Sequence, residues 1–147
     1  MSNKLKVILT PNEIHFGAMH GILRRHKKHE GLRKDRQQSQ KSSWDNEING
    51  CLAEIAWCKM RGVYWTGLSD IKAKDGGNVE IRWTHHENTG GLIIYNNDSD
   101  DTRFVLAEGY PPEICFVGWL NGKDAKKLAV SRNGINIVPR ESLNSLN

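Results

Sequence analysis

The stretch of this sequence best equipped for chemistry is Asp75-Gly76-Gly77-Asn78-Val79-Glu80-Ile81-Arg82. From Val79 to Thr84 apolar and polar residues alternate, so a strand here puts Val79, Ile81 and Trp83 on one face and Glu80, Arg82 and Thr84 on the other. Asp75 lies just upstream in a glycine-rich turn that can bend it toward Glu80. Two carboxylates in proximity are costly unless a cation neutralises them. A hard divalent ion such as Mg²⁺ or Mn²⁺ takes oxygen ligands and usually keeps several waters. Such an ion can activate water against a phosphodiester, with Arg82 holding a phosphate oxygen. Glu54, on the margin of a helix's apolar arc beside Cys51 and Cys58, can complete the set. The competing reading of the same string is an inert, solvent-facing strand next to a polar turn.

Charge supplies the second lead. The formal charge is +4, from 21 Lys+Arg against 17 Asp+Glu. Residues 24 to 41 hold Arg24, Arg25, Lys27, Lys28, Arg33, Lys34, Arg36 and Lys41 against only Glu30 and Asp35, so this segment is +6 and the remainder is −2. Such a segment either grips phosphates with little sequence preference or serves as a solvated linker. Apolar residues at 37% and charged residues at 26% describe an ordinary polar globular chain, and 147 residues suit one domain, 1–147. No apolar run reaches a membrane span and no signal core opens the chain, so a cytoplasmic setting without membrane contact is expected. Cys51, Cys58 and Cys115 form no CxxC pair, which argues against a zinc ribbon or disulfide framework.

The elements that must position these residues are readable in outline. A strand is expected over Lys6 to Leu9. Thr10-Pro11-Asn12-Glu13 is a capped helix start, and that helix should carry Ile14, Ala18, Ile22 and Leu23 on one side and run to about His29. Residues 31 to 43 read as a polar, mobile connection. A second helix spans Trp44 to about Arg61, capped by Ser43 and stopped by Gly62. Strands are then expected at Val63 to Thr66, Asp70 to Lys74, Val79 to Thr84, Leu92 to Tyr95, Arg103 to Glu108, Ile114 to Leu120 and Ile135 to Val138, with a short helix at Asp124 to Val130. Helices first and a mainly antiparallel sheet after them make an α+β fold. His85-His86 with Asn88 lacks the later histidine of an HNH metal site, and most of the five tryptophans fall in periodic core segments.

An ordered set of motifs resembles small phage-encoded proteins of the PD-(D/E)XK, or restriction-endonuclease-like, nuclease superfamily. It comprises Leu9-Thr10-Pro11-x-Glu13, Gly50-Cys51-Leu52-Ala53-Glu54-Ile55-Ala56-x-x-Lys59, Gly62-Val63-Tyr64-Trp65, Asp75 to Arg82, Leu92-Ile93-Ile94, Phe104-Val105-Leu106, Gly118-Trp119-Leu120-x-Gly122-x-Asp124-Ala125-Lys126 and Val138-Pro139. The resemblance implies an αβββαβ core and a metal-dependent DNA endonuclease. Glu54, Asp75 and Glu80 would hold Mg²⁺ or Mn²⁺, Arg82 would stabilise phosphate charge, and residues 24 to 43 would bind DNA. A homodimer that cuts both strands, acting in a host cytoplasm, follows by analogy. Arg82 stands where the superfamily usually has lysine, and an arginine stays charged and cannot act as a general base. The Asp75 to Glu80 spacing is short, which makes Asp70 the fallback ligand. The rival expectation is a non-catalytic module of the same fold that binds nucleic acid or a host protein.

Overall fold

The computed structural model of the chain describes residues 4–29, 43–67 and 70–146. Its elements run β1 (Leu5–Ile8), α1 (Pro11–His29), α2 (Ser43–Arg61), β2 (Val79–Thr84), β3 (Leu92–Ile93), β4 (Arg103–Glu108), β5 (Glu113–Asn121), α3 (Gly122–Leu128), β6 (Val130–Arg132) and β7 (Ile135–Val138). The class is α+β. Among the described residues no helix is long and apolar enough to cross a membrane.

Local chemistry sets the helix ends. The Thr10 hydroxyl accepts from the Glu13 N–H at 3.2 Å, while the Glu13 carboxylate accepts from the Thr10 N–H at 2.7 Å, a reciprocal box that satisfies two orphan donors. At the end of α2, Gly62 takes φ 67° and the Val63 N–H reaches back to the Cys58 carbonyl at 2.9 Å, closing a Schellman stop. Asn121 caps α3 by accepting from the Asp124 N–H.

Four strands form the main sheet in the order β1-β5-β4-β2. The β1–β5 and β4–β5 pairs are antiparallel, but β2 and β4 run parallel, joined by a crossover through residues 85–102. A second sheet, β3-β7-β6, is antiparallel throughout. Alternation along β4 sends Val105 and Ala107 into a core shared with α2, and Phe104 and Leu106 into a core shared with Leu92, Ile94 and Val138. The molecule is therefore layered, with helices on one face of the main sheet and the small sheet with α3 on the other. A bulge opposite Leu106/Ala107 flips β5 between these cores, so Phe116 faces the helices and Leu120 the small sheet.

Several expectations shift. Val63 to Thr66 and Asp70 to Lys74 are not strands; the second contributes one bridge, Lys72 to Asn78, flanked by the Val79 N–H to Ile71 carbonyl bond at 2.9 Å. The short helix comes two residues early and leaves Val130 to start β6. That strand pairs in the second sheet, so the element after α3 does not extend the main sheet. Ile22 and Leu23, expected on the inner side of α1, are about half exposed. The inner side belongs instead to Gly17 and Gly21, whose missing Cβ atoms let α1 lie directly on α2. A Cβ at Gly21 would come within 2.5 Å of the Ile48 Cα, and one at Gly17 within 2.7 Å of the Leu52 side chain. This backbone contact runs the two helices antiparallel.

Candidate functional site

The four side chains predicted to share one site are held in three separate arrangements. Glu54 is buried on α2, where Arg24 of α1 grips it with two bonds, Nη1 to Oε2 at 2.6 Å and Nη2 to Oε1 at 3.2 Å. The Trp65 indole N–H donates to the same carboxylate at 3.3 Å, and Arg24 Nη2 also reaches the Gly67 carbonyl at 2.7 Å. The cluster thus ties α1, α2 and the segment after α2 together. Burial alone would lower the Arg24 affinity for its proton, but the hydrogen bond and charge of Glu54 hold it above the ordinary arginine value. Nearby, burial and then the Glu54 charge push the Cys58 thiol up to about 11, which keeps it an unreactive core thiol.

Glu80 and Arg82 lie on the other face of the sheet. Strand alternation puts Val79 and Ile81 in the α2-side core, so their neighbours point toward the small sheet. There Arg82 is nearly enclosed, between the rings of Tyr95 (5.1 Å) and Phe104 (4.8 Å). Its Nε and Nη2 donate to Glu80 Oε1 at 3.1 and 2.8 Å, Nη2 also to Asp98 Oδ1 at 2.9 Å, and Nη1 to the Ile93 carbonyl at 3.1 Å. Asp98, the one buried carboxylate of the acidic turn, accepts the Tyr95 N–H at 2.7 Å with its second oxygen. Burial opposes the Arg82 charge, and Glu80 and Asp98 more than compensate, raising its proton affinity. With four bonds in place, the fork fastens the 85–102 crossover onto β2 and has little left for a phosphate.

Asp75 sits at the tip of the turn before β2. Its Oδ1 accepts the Gly77 N–H at 2.9 Å and its Oδ2 pairs with Arg103; the first of these, then the second, lowers its carboxyl below the ordinary range. Asp70, the fallback ligand, is placed differently. It lines a shallow polar groove together with Lys72, Asn78, Glu80 and Thr102, and accepts from the Thr66 hydroxyl at 2.5 Å.

These residues do not fit a single-ion site. Glu54 and Glu80 stand on opposite faces of the main sheet, each neutralised by its own arginine, and Asp75 by a third. Among the described residues no group of three or more His, Cys, Asp or Glu side chains is arranged to hold a metal ion. The expectation that Glu54, Asp75 and Glu80 converge is corrected accordingly: the alternation that brings Glu80 to the face of Arg82 is what removes it from the helix bearing Glu54.

The basic segment is also redistributed. Arg24 is committed to Glu54 and leaves the set of residues able to meet phosphate. Arg25 is half-buried near the end of α1, and Lys27 and Lys28 continue that helix. Arg33, Lys34, Arg36 and Lys41 lie outside the described residues. His85 and His86 stack at 3.8 Å; burial and then the neighbouring ring lower the His85 proton affinity. Close by, buried Glu108 collects Lys4, Arg140 and the Asn88 N–H, a polar cluster that sequence reasoning missed because its members are scattered from residue 4 to residue 140. No protein-family model, curated protein or solved structure matches this chain.

Proposed function

We propose that this chain is a non-catalytic nucleic-acid-binding module whose basic segment contacts the phosphate backbone. The observation that carries this reading is the internal neutralisation of Glu54, Asp75 and Glu80 by Arg24, Arg103 and Arg82, which leaves no shared carboxylate site to activate water. Seven basic residues of the 24–41 segment remain once Arg24 is set aside. If four to six of them meet phosphates, the affinity for duplex DNA falls with a slope of about −4 to −5 in log–log salt dependence.

A second reading, metal-dependent phosphodiester hydrolysis, draws support from one feature, the groove in which Asp70 and Glu80 lie together. Fluorescence anisotropy on labelled duplex and single-stranded DNA, run beside a cleavage assay with Mg²⁺ and Mn²⁺, separates the two. Salt-sensitive binding without cleavage is the expected result. Divalent-dependent cutting that disappears in Glu80→Ala or Asp70→Ala would overturn the binding-module reading and install the hydrolase.

A further inference from the structure

The outer face of α1 does not follow from anything described so far. Because Gly17 and Gly21 take the inner side, the bulky apolar residues of this helix point away from the core: Phe16, Met19, Ile22 and Leu23 are 51, 49, 47 and 50% exposed. Phe16 is anchored at its edge against His20 and Trp65, with ring centroids at 4.8 and 5.6 Å. Met19, Ile22 and Leu23 form the free part of the stripe. Residues 16, 19 and 23 follow the 3-then-4 spacing of a helix–helix seam, which lies along one line of the helix surface.

We propose that this face is the interface through which two copies of the chain associate, α1 against α1, in antiparallel orientation. The orientation follows from charge. From His15 to His29 the helix has no acidic residue and carries Arg24, Arg25, Lys27 and Lys28 at its C-terminal end. A parallel pair would stack these cations, whereas an antiparallel pair sets them at opposite ends. A two-fold axis between Met19 and Leu23 then places each against the other's counterpart, the self-complementary pattern of an isologous interface.

The exposed area is in proportion. Half-exposed side chains of this size leave roughly 80–100 Å² each, and Trp44, 46% exposed one turn before the Ile48 that lies under Gly21, extends the surface at the same end of the hairpin. The sum is on the order of 450 Å², more than half of the ~800 Å² that each partner contributes to a standard interface. This inference does not rest on nucleic-acid binding, although a dimer would carry two basic segments in one particle.

Sedimentation equilibrium from micromolar to submillimolar protein, in the absence of nucleic acid, is the direct test. The wild type should reach the dimer mass, and added salt should not dissociate it, since the contact is apolar. Leu23→Glu and Met19→Glu should each weaken association at least tenfold while circular dichroism and the melting temperature stay close to wild type. Tyr64→Glu, at an 86% exposed position off this face, should leave the dimer intact. A folded wild type that stays monomeric throughout, or a dimer indifferent to both glutamates, would refute the proposal. Monomers that co-sediment with phosphatidylglycerol vesicles would also refute it, assigning the face to an anionic membrane surface instead.

Discussion

The Arg24–Glu54 pair offers the sharpest test of how this chain uses its carboxylates. Both side chains are nearly enclosed, at 15 and 10% exposure, so solvent screens their attraction little. Replacing Arg24 by Met keeps the apolar stem but strands the Glu54 charge, with the Trp65 indole N–H at 3.3 Å as its remaining donor. Breaking one side of such a buried pair costs about 3–5 kcal/mol. For a chain of this length that corresponds to a fall in melting temperature on the order of 10 °C. Glu54→Leu should cost a similar amount, because it strands the guanidinium. The double variant Arg24→Met/Glu54→Leu should cost no more than either single one, since both charges leave together, giving a coupling of about 3 kcal/mol. Urea unfolding of the four proteins measures the cycle. A carboxylate kept for metal chemistry behaves oppositely, because its removal tends to stabilise a protein at the expense of activity. Two single variants within about 0.5 kcal/mol of wild type, with additive effects, would refute the structural role assigned to Glu54.

Three further outcomes follow from the packing and ion pairs. Gly21→Ala should destabilise by about 2–3 kcal/mol despite the better helix propensity of alanine, because its Cβ meets Ile48 and Glu47 backbone; Gly17→Ala, which meets only movable Leu52 and Ile55 side-chain ends, should cost less in thermal melts. Arg82→Lys, the residue usual in the resembled superfamily, should lose about 2 kcal/mol and raise the proteolytic sensitivity of residues 94–101, since one ammonium cannot serve Glu80, Asp98 and the Ile93 carbonyl together. Burial pushes the Glu108 carboxyl up, but Lys4, the Asn88 N–H and Arg140 outweigh it and hold it below the ordinary glutamate value. Its stabilisation is therefore complete above the unfolded value of about 4.3 and is lost as pH falls through the lower folded value, and Glu108→Gln should flatten that acid limb in a pH series of unfolding curves.

What could be read from the sequence was what local chemistry decides. The capping box at Thr10 and Glu13, the Gly62 stop, and the bounds of β2 and β4 follow from neighbouring residues and appear as expected. Alternation in Val79 to Thr84 was legible too, but which face would meet α2 was not. That depends on β2 pairing in parallel with β4 across an 18-residue crossover, a long-range choice without a local signal. The partner of Glu54 was hidden for the same reason, 30 residues away within a segment whose composition suggested solvent or phosphate. One signal was available and went unused: Gly17 and Gly21, one helical turn apart, mark the face along which α1 meets another backbone.

That glycine seam also ranks the order in which the molecule comes apart. α1 lies outside α2 rather than on the sheet, and it buries little of its own apolar surface there. Apart from close backbone contact, the Arg24 clasp and the Phe16 edge hold it. β4, by contrast, is buried along nearly its whole length between two cores. A layer attached in this way opens as a unit well before the sheet does, so amide exchange in α1 reports a partial unfolding while β4 reports the global one. Whatever covers the outer stripe of α1 therefore closes the least stable layer of the protein, and partner binding becomes measurable as slowed exchange in that helix alone.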